Sequence, residues 1–176
     1  MAAVARLAPG DPAPPFSLPG VDGRDHSLAD YDEMPAVVVF SCCHCPYVMA
    51  WEDRLNDVAR EVDGRAGFVV VNANDHVGDS FEDMRMRAKE KRFSFPFVRD
   101  DTQEVAAAYG AGRTPEVFVF DYEHRLVYHG APDSDYADPN RAEPYLRHAL
   151  EAALAGRLPA VAETPPVGCT IKWRAA

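Results

Sequence analysis

Hydrophobic and polar positions change period repeatedly along the chain, and the alternation of short apolar runs with longer amphipathic ones predicts its elements. Residues 36–41 read Ala-Val-Val-Val-Phe-Ser, a compact β-branched run expected of a central strand covered on both faces. Beyond Pro46, the residues Val48, Trp51, Leu55, Val58 and Val62 recur at alternating spacings of three and four, which predicts an amphipathic helix. Pro46 suits its first turn, where a missing N–H costs little. Residues 68–71 repeat the buried-strand pattern, and 80–91 form a charged helix with Phe81, Met84 and Ala88 on one face. A short extended piece at 95–98 and an Ala-rich helix at 103–109 follow, the latter leaving through a loop at 110–113. Residues 116–121 and 125–129, linked by a tight polar turn, predict an antiparallel hairpin. A last helix is expected to start at Asp138-Pro139 and to bury Leu146, Ala149, Leu150, Ala153 and Leu154.

Ahead of these elements, residues 16–28 carry Asp22-Gly23, a chain-reversing pair that predicts a small N-terminal hairpin. From Gly156 onward the chain is rich in Pro and Ala and has no period. Parallel strands joined by helices and closed by an antiparallel hairpin make an α/β fold, a central mixed sheet flanked by helices. One domain is expected over 1–176, with 156–176 as a C-terminal tail wrapping it.

Composition narrows the function. The 176 residues carry 18 Lys and Arg against 28 Asp and Glu, a formal charge of −10, which repels nucleic acid and anionic membrane surfaces. Prolines interrupt the first eighteen residues, so they do not read as a signal peptide. The longest apolar runs fit strands and not membrane spans. A cytoplasmic location is therefore expected, where thiols stay reduced and clustered cysteines point to catalysis or metal binding ahead of cross-linking.

The cluster is Cys42-Cys43-His44-Cys45. In a Cys-x-x-Cys pair at the start of a helix, the first sulfur meets unpaired N–H groups and the positive end of the helix dipole, which favours thiolate. Cys42 is expected to be that sulfur and the nucleophile. Cys45, in the first turn, is expected to attack the resulting mixed disulfide and leave the pair oxidised. A protonated His44 adds positive charge between them and favours the reduced form. Metal binding competes with this reading, but Cys42, His44 and Cys45 make only three ligands, and Cys169 would have to complete the site. Packed, inert thiols are the third reading. Cys43 is taken as a bystander. Cys169, in the tail, either resolves a disulfide or anchors the tail as a small apolar residue. Asp133, Asp135 and Asp138 lack the glycine and closing glutamate of a calcium loop and read as a solvated loop capping the last helix. Gly110-x-Gly112 is too weak a signal for nucleotide binding. His76, His124, His129 and His148 are scattered and read as surface or half-buried residues. No cofactor is expected.

With Phe40-x-Cys42-x-x-Cys45-Pro46 at a strand–helix junction and Thr114-Pro115 before a strand, the chain resembles the thioredoxin-like superfamily. Gly10-Asp11-Pro12-Ala13-Pro14 with Phe16, and residues 114–121, make it similar to the redoxin branch of alkyl hydroperoxide reductases and thiol-specific antioxidants. Within that branch it resembles a peroxiredoxin-like subgroup sharing the Pro-Val-Gly-Cys-x-Ile-x-Trp tail of residues 166–173. The resemblance implies a thioredoxin-like fold and a cis-proline at Pro115, with Thr114, facing the active cysteines. It also shows departures: Cys42 stands where peroxiredoxins carry a peroxide-orienting threonine, Val38 where they have a proline and Pro115 where they hold an activating arginine, with Arg113 displaced. Thiol–disulfide exchange is therefore expected ahead of peroxide reduction by Cys45, with a non-catalytic redox-sensing or metal-binding module as the other alternative. The partners are protein or small-molecule disulfides and thiols, peroxides in the alternative, and a thiol reductant.

Overall fold

A computed structural model of the chain describes residues 5–176. Its centre is a five-stranded mixed sheet of β3 (Ala36–Ser41), β4 (Gly67–Asn72), β5 (Phe97–Arg99), β7 (Glu116–Phe120) and β8 (Leu126–Gly130), in the order β5-β4-β3-β7-β8. Strand β3 runs parallel to β4, with Val38 opposite Val69, and antiparallel to β7, with Val38 opposite Phe118. Every residue of β3, β4, β7 and β8 is buried. Alternation along a strand explains why β3 tolerates no polar position before Ser41. Val37 and Val39 face α1 (Pro46–Glu61), α2 (Phe81–Lys91) and α4 (Tyr145–Leu154), meeting Trp51, Leu55, Met84 and Leu150. Ala36, Val38 and Phe40 face the opposite layer, where α3 (Glu104–Tyr109) supplies Ala106 and Tyr109 and the N-terminal segment supplies Phe16 and Leu28. Each such side chain buried contributes about 1.5–3 kcal/mol.

The N-terminal hairpin pairs β1 (Ser17–Pro19) with β2 (Asp25–Ser27), and Gly23 takes the positive φ its turn requires. The last helix departs from expectation, since α4 starts at Tyr145 and not at Asp138. The carboxylates of the preceding loop are satisfied locally: Asp135 accepts from the amides of Ala137 and Asp138, and Asp138 from that of Asn140. Short acidic side chains that bond their own downstream amides hold a chain in turns. Nor is the loop merely solvated. Asp133 is buried and takes hydrogen bonds from Trp51 Nε1 (2.8 Å) and Arg54 Nη1 (2.6 Å).

The tail is irregular until it reaches the site. It first lies along the edge of β8, where the Thr164 amide donates to the His129 carbonyl and the His129 amide to that of Ala162, and then forms β9 (Cys169–Thr170), antiparallel to β6 (Arg113–Thr114). Ile171 is buried, and the Lys172 amide donates to Asn74 Oδ1. Gly168 is required by packing, because a Cβ there would sit 2.0 Å from the Thr114 carbonyl oxygen. Among the described residues no helix is long and apolar enough to cross a membrane.

Candidate active site

The site lies at the carboxyl end of β3, where the chain turns into α1 and meets β6, β9 and the loop following β4. Proline at the first helical position makes the preceding residue the cap, and Cys45 occupies it with an extended backbone. The sulfur at the helix terminus is therefore that of Cys45, and Cys42 precedes this cap by three residues, contrary to the sequence expectation. Both are buried. Cys42 Sγ is 3.5 Å from Thr114 Oγ1, while Cys45 Sγ faces the Thr114 carbonyl oxygen at 3.4 Å and lies 2.7 Å from Cys169 Sγ. The Thr114–Pro115 bond is cis. Thus Cys42, Cys45, Thr114, Pro115 and Cys169 come together, whereas His44 and Cys43 turn toward the β4 side.

The thiol equilibria separate the sulfurs. The Cys42 thiol draws the pKa of Cys45 well below the ordinary value by hydrogen bonding to its thiolate; burial opposes this, and Cys169 and the Val48 and Cys169 amides add to it. The Val48 amide acts here without reaching full capping geometry. The same Cys42–Cys45 hydrogen bond, with burial, pushes Cys42 up. Burial and then the Cys45 sulfur push Cys169 up to about 11, so it stays a thiol beside a thiolate.

On the other side stands a group the sequence reading missed. Asp79 is fully buried and accepts from the Cys43 amide (2.7 Å) and Asn72 Nδ2 (2.9 Å) through Oδ1. Its Oδ2 meets His44 Nδ1 and lies 3.4 Å from His76 Nδ1, and the two imidazoles stack with centroids 4.0 Å apart. The main-chain amide of Cys43 thus anchors this carboxylate, a contact that does not involve its sulfur. Burial, with the Asp79 charge, pushes its thiol up to about 12. The Cys42, His44 and Asp79 donor atoms lie within 4.8 Å of one another, so Asp79 replaces Cys45 in the metal-binding alternative. The pattern His76-x-x-Asp79 was visible in the sequence, but nothing there places it beside His44 until β3 and β4 are known to be parallel neighbours.

One further residue was misjudged. His129 is fully buried, bonding Glu116 Oε1 through Nε2 at 2.6 Å, and Glu116 Oε2 accepts from the Gly112 and Arg113 amides, fixing the segment before Pro115. Arg113 donates to the Gly168 carbonyl oxygen and so holds the tail instead of a reacting sulfur.

Residues 9–129 match the AhpC/TSA family. The chain belongs to the AhpC/TSA family. A Mycobacterium tuberculosis protein with a provisional peroxiredoxin name is 34% identical over 144 residues, 72% of this chain and 87% of its own length. The thiol–disulfide oxidoreductase ResA of Geobacillus thermodenitrificans is 29% identical over 118 residues, 65% of this chain and 64% of its own. A crystal structure of an uncharacterised conserved protein from Geobacillus kaustophilus superposes with a TM-score of 0.89 at 37% identity, over 97% of this chain and 94% of that one. Within the AhpC/TSA family this chain has the thioredoxin-like fold, its mixed sheet flanked by helices, and it is an oxidoreductase.

Proposed function

We propose that this chain is a thiol–disulfide oxidoreductase in which Cys45 is the attacking thiolate and Cys169 the resolving thiol. The observation that carries this reading is the Cys45 sulfur at the start of α1, in contact with Cys169 at 2.7 Å. It revises the expected roles, in which Cys42 attacked and Cys45 resolved; Cys42 now donates the hydrogen bond that favours the Cys45 thiolate. In the forward direction the tail lifts, and Cys45 S⁻ attacks one sulfur of a substrate disulfide, expelling the other as thiolate. Cys169 then loses its proton and attacks Cys45 Sγ, forming the Cys45–Cys169 disulfide and releasing the second substrate thiolate. The Cys169 proton and one from solvent complete the two substrate thiols, and a protein thiolate and thiol have become one disulfide. Two equivalents of an external thiol, the second releasing the mixed disulfide left by the first, return the pair to its reduced form in the expected cytoplasmic setting.

Non-reducing peptide mapping after graded oxidation tests the assignment. A Cys45–Cys169 link is expected in the unmodified chain and in Cys42→Ser, and Cys45→Ser is expected to lose disulfide reduction altogether. Full activity in Cys45→Ser, or exclusive Cys42–Cys45 pairing, would overturn it. Peroxide reduction by Cys45 is the second reading, favoured by the Cys45-Pro46 dipeptide and by the name of the Mycobacterium tuberculosis relative. It predicts peroxide consumption that needs Cys45 and survives Cys42→Ser.

A further inference from the structure

We propose that Cys42, His44, His76 and Asp79 form a binding site for a thiophilic divalent cation of the zinc class. Cys42 and His44 come from the loop that leaves β3, and His76 and Asp79 from the loop that leaves its parallel neighbour β4. Three of the four bring sulfur, nitrogen and oxygen donors within 4.8 Å of one another. The fourth, His76, aims Nδ1 at the same Asp79 oxygen that His44 faces, at 3.4 Å. That carboxylate is oriented from behind, its other oxygen being held by the Cys43 amide and Asn72, as outer groups orient metal ligands.

Charge points the same way. A carboxylate this deeply buried needs a compensating positive charge. Among the described residues its ion-pair partners are the two imidazoles alone, and the nearby Arg99 guanidinium bonds the Asp79 main-chain carbonyl instead. His44 Nε2 is buried with no hydrogen-bond partner, whereas the His76 side chain is 38% exposed and leaves a way in from solvent. One thiolate, two imidazoles and one carboxylate suit a tetrahedral zinc-class ion and not calcium or magnesium, which take oxygen ligands. On binding, the Cys42 thiol proton leaves to solvent, and each imidazole ligates through an unprotonated Nδ1 with its proton on Nε2.

The inference deepens the proposed function, because a metal-bound Cys42 no longer donates its S–H to Cys45, and the reduced enzyme is slowed while loaded. Zinc affinity of the reduced full chain, measured by competition with a chromophoric chelator, and cobalt(II) spectra test it independently of turnover. One equivalent per chain is expected, with thiolate-to-cobalt charge transfer and tetrahedral ligand-field bands. Cys42→Ser should remove the charge transfer. His76→Gln, at a half-exposed position, should weaken binding about tenfold or more, as should Asp79→Asn if it folds, and Cys169→Ala should leave it unchanged. Failure to bind metal would overturn the site. Binding that survives His76→Gln but is lost in Cys169→Ala would also overturn it, by assigning chelation to the Cys45 and Cys169 sulfurs. Disulfide reduction measured with chelator present reports on the proposed function separately.

Discussion

At Cys45 a single proline decides the chemistry. Pro46 can only open the helix, so the residue before it becomes the cap. That rule was available in the sequence, whereas the Cys-x-x-Cys spacing, which says nothing about where helical geometry begins, drew attention to Cys42. The Cys42 hydrogen bond is the largest influence favouring thiolate at Cys45, and its removal has a definite sign. In a Cys169→Ala background, where the tail sulfur is absent, thiolate absorbance should titrate well below the ordinary thiol range; adding Cys42→Ala should move the midpoint up by about one unit or more. An unmoved midpoint would contradict the role given to Cys42. Gly168 is the second residue to probe. A methyl group there cannot fit against the Thr114 carbonyl, so Gly168→Ala should lift β9. Oxidation should then link Cys45 to Cys169 about tenfold more slowly, as read by non-reducing mass analysis.

Among the elements, β3 was the most legible because five apolar residues in a row leave no solvent face. Its role as central strand follows from burial on both sides. Helix α1 was legible for its period, and Leu55→Ala, which opens a void between α1 and the sheet, should cost about 2–5 kcal/mol in denaturant unfolding. The start of α4 was not legible, because an Asp-Pro pair signals a helix start equally well when its carboxylate closes a turn of its own. The His44–Asp79–His76 group was not legible either, since it exists only through the lateral pairing of β3 with β4. Strand β7 opens on another buried pair. Burial pushes Glu116 up, but the His129 hydrogen bond and the Gly112 and Arg113 amides outweigh it and hold its pKa below the usual carboxylate value. A carboxyl whose folded pKa is depressed stabilises the protein above its unfolded pKa and ceases to do so as pH falls through the folded value. Thermal unfolding should therefore show a steep loss of stability below about pH 4 that is blunted in Glu116→Gln; parallel curves would remove this pair from the account.

For the molecule as a whole, the tail is fastened at two neighbouring points of the fold. It is pinned at β8 through Thr164 and at β6 through Cys169, and between these points residues 165–168 are exposed or half-buried. A protease that cuts in this stretch should release the C-terminal fragment on a denaturing gel when the protein is reduced and retain it when oxidised. Release in both states would show that Cys169 does not take up the Cys45 disulfide.

The two-residue pairing of Thr114 with Cys169 also sets a contest between thiols. Cys169 is tethered, so its local concentration at Cys45 is in the millimolar range or above, and ring closure outruns capture of the mixed disulfide by a dilute free thiol. Small monothiols then act on this protein chiefly as reductants of its finished disulfide, and glutathionylated Cys45 should accumulate only when Cys169 is missing.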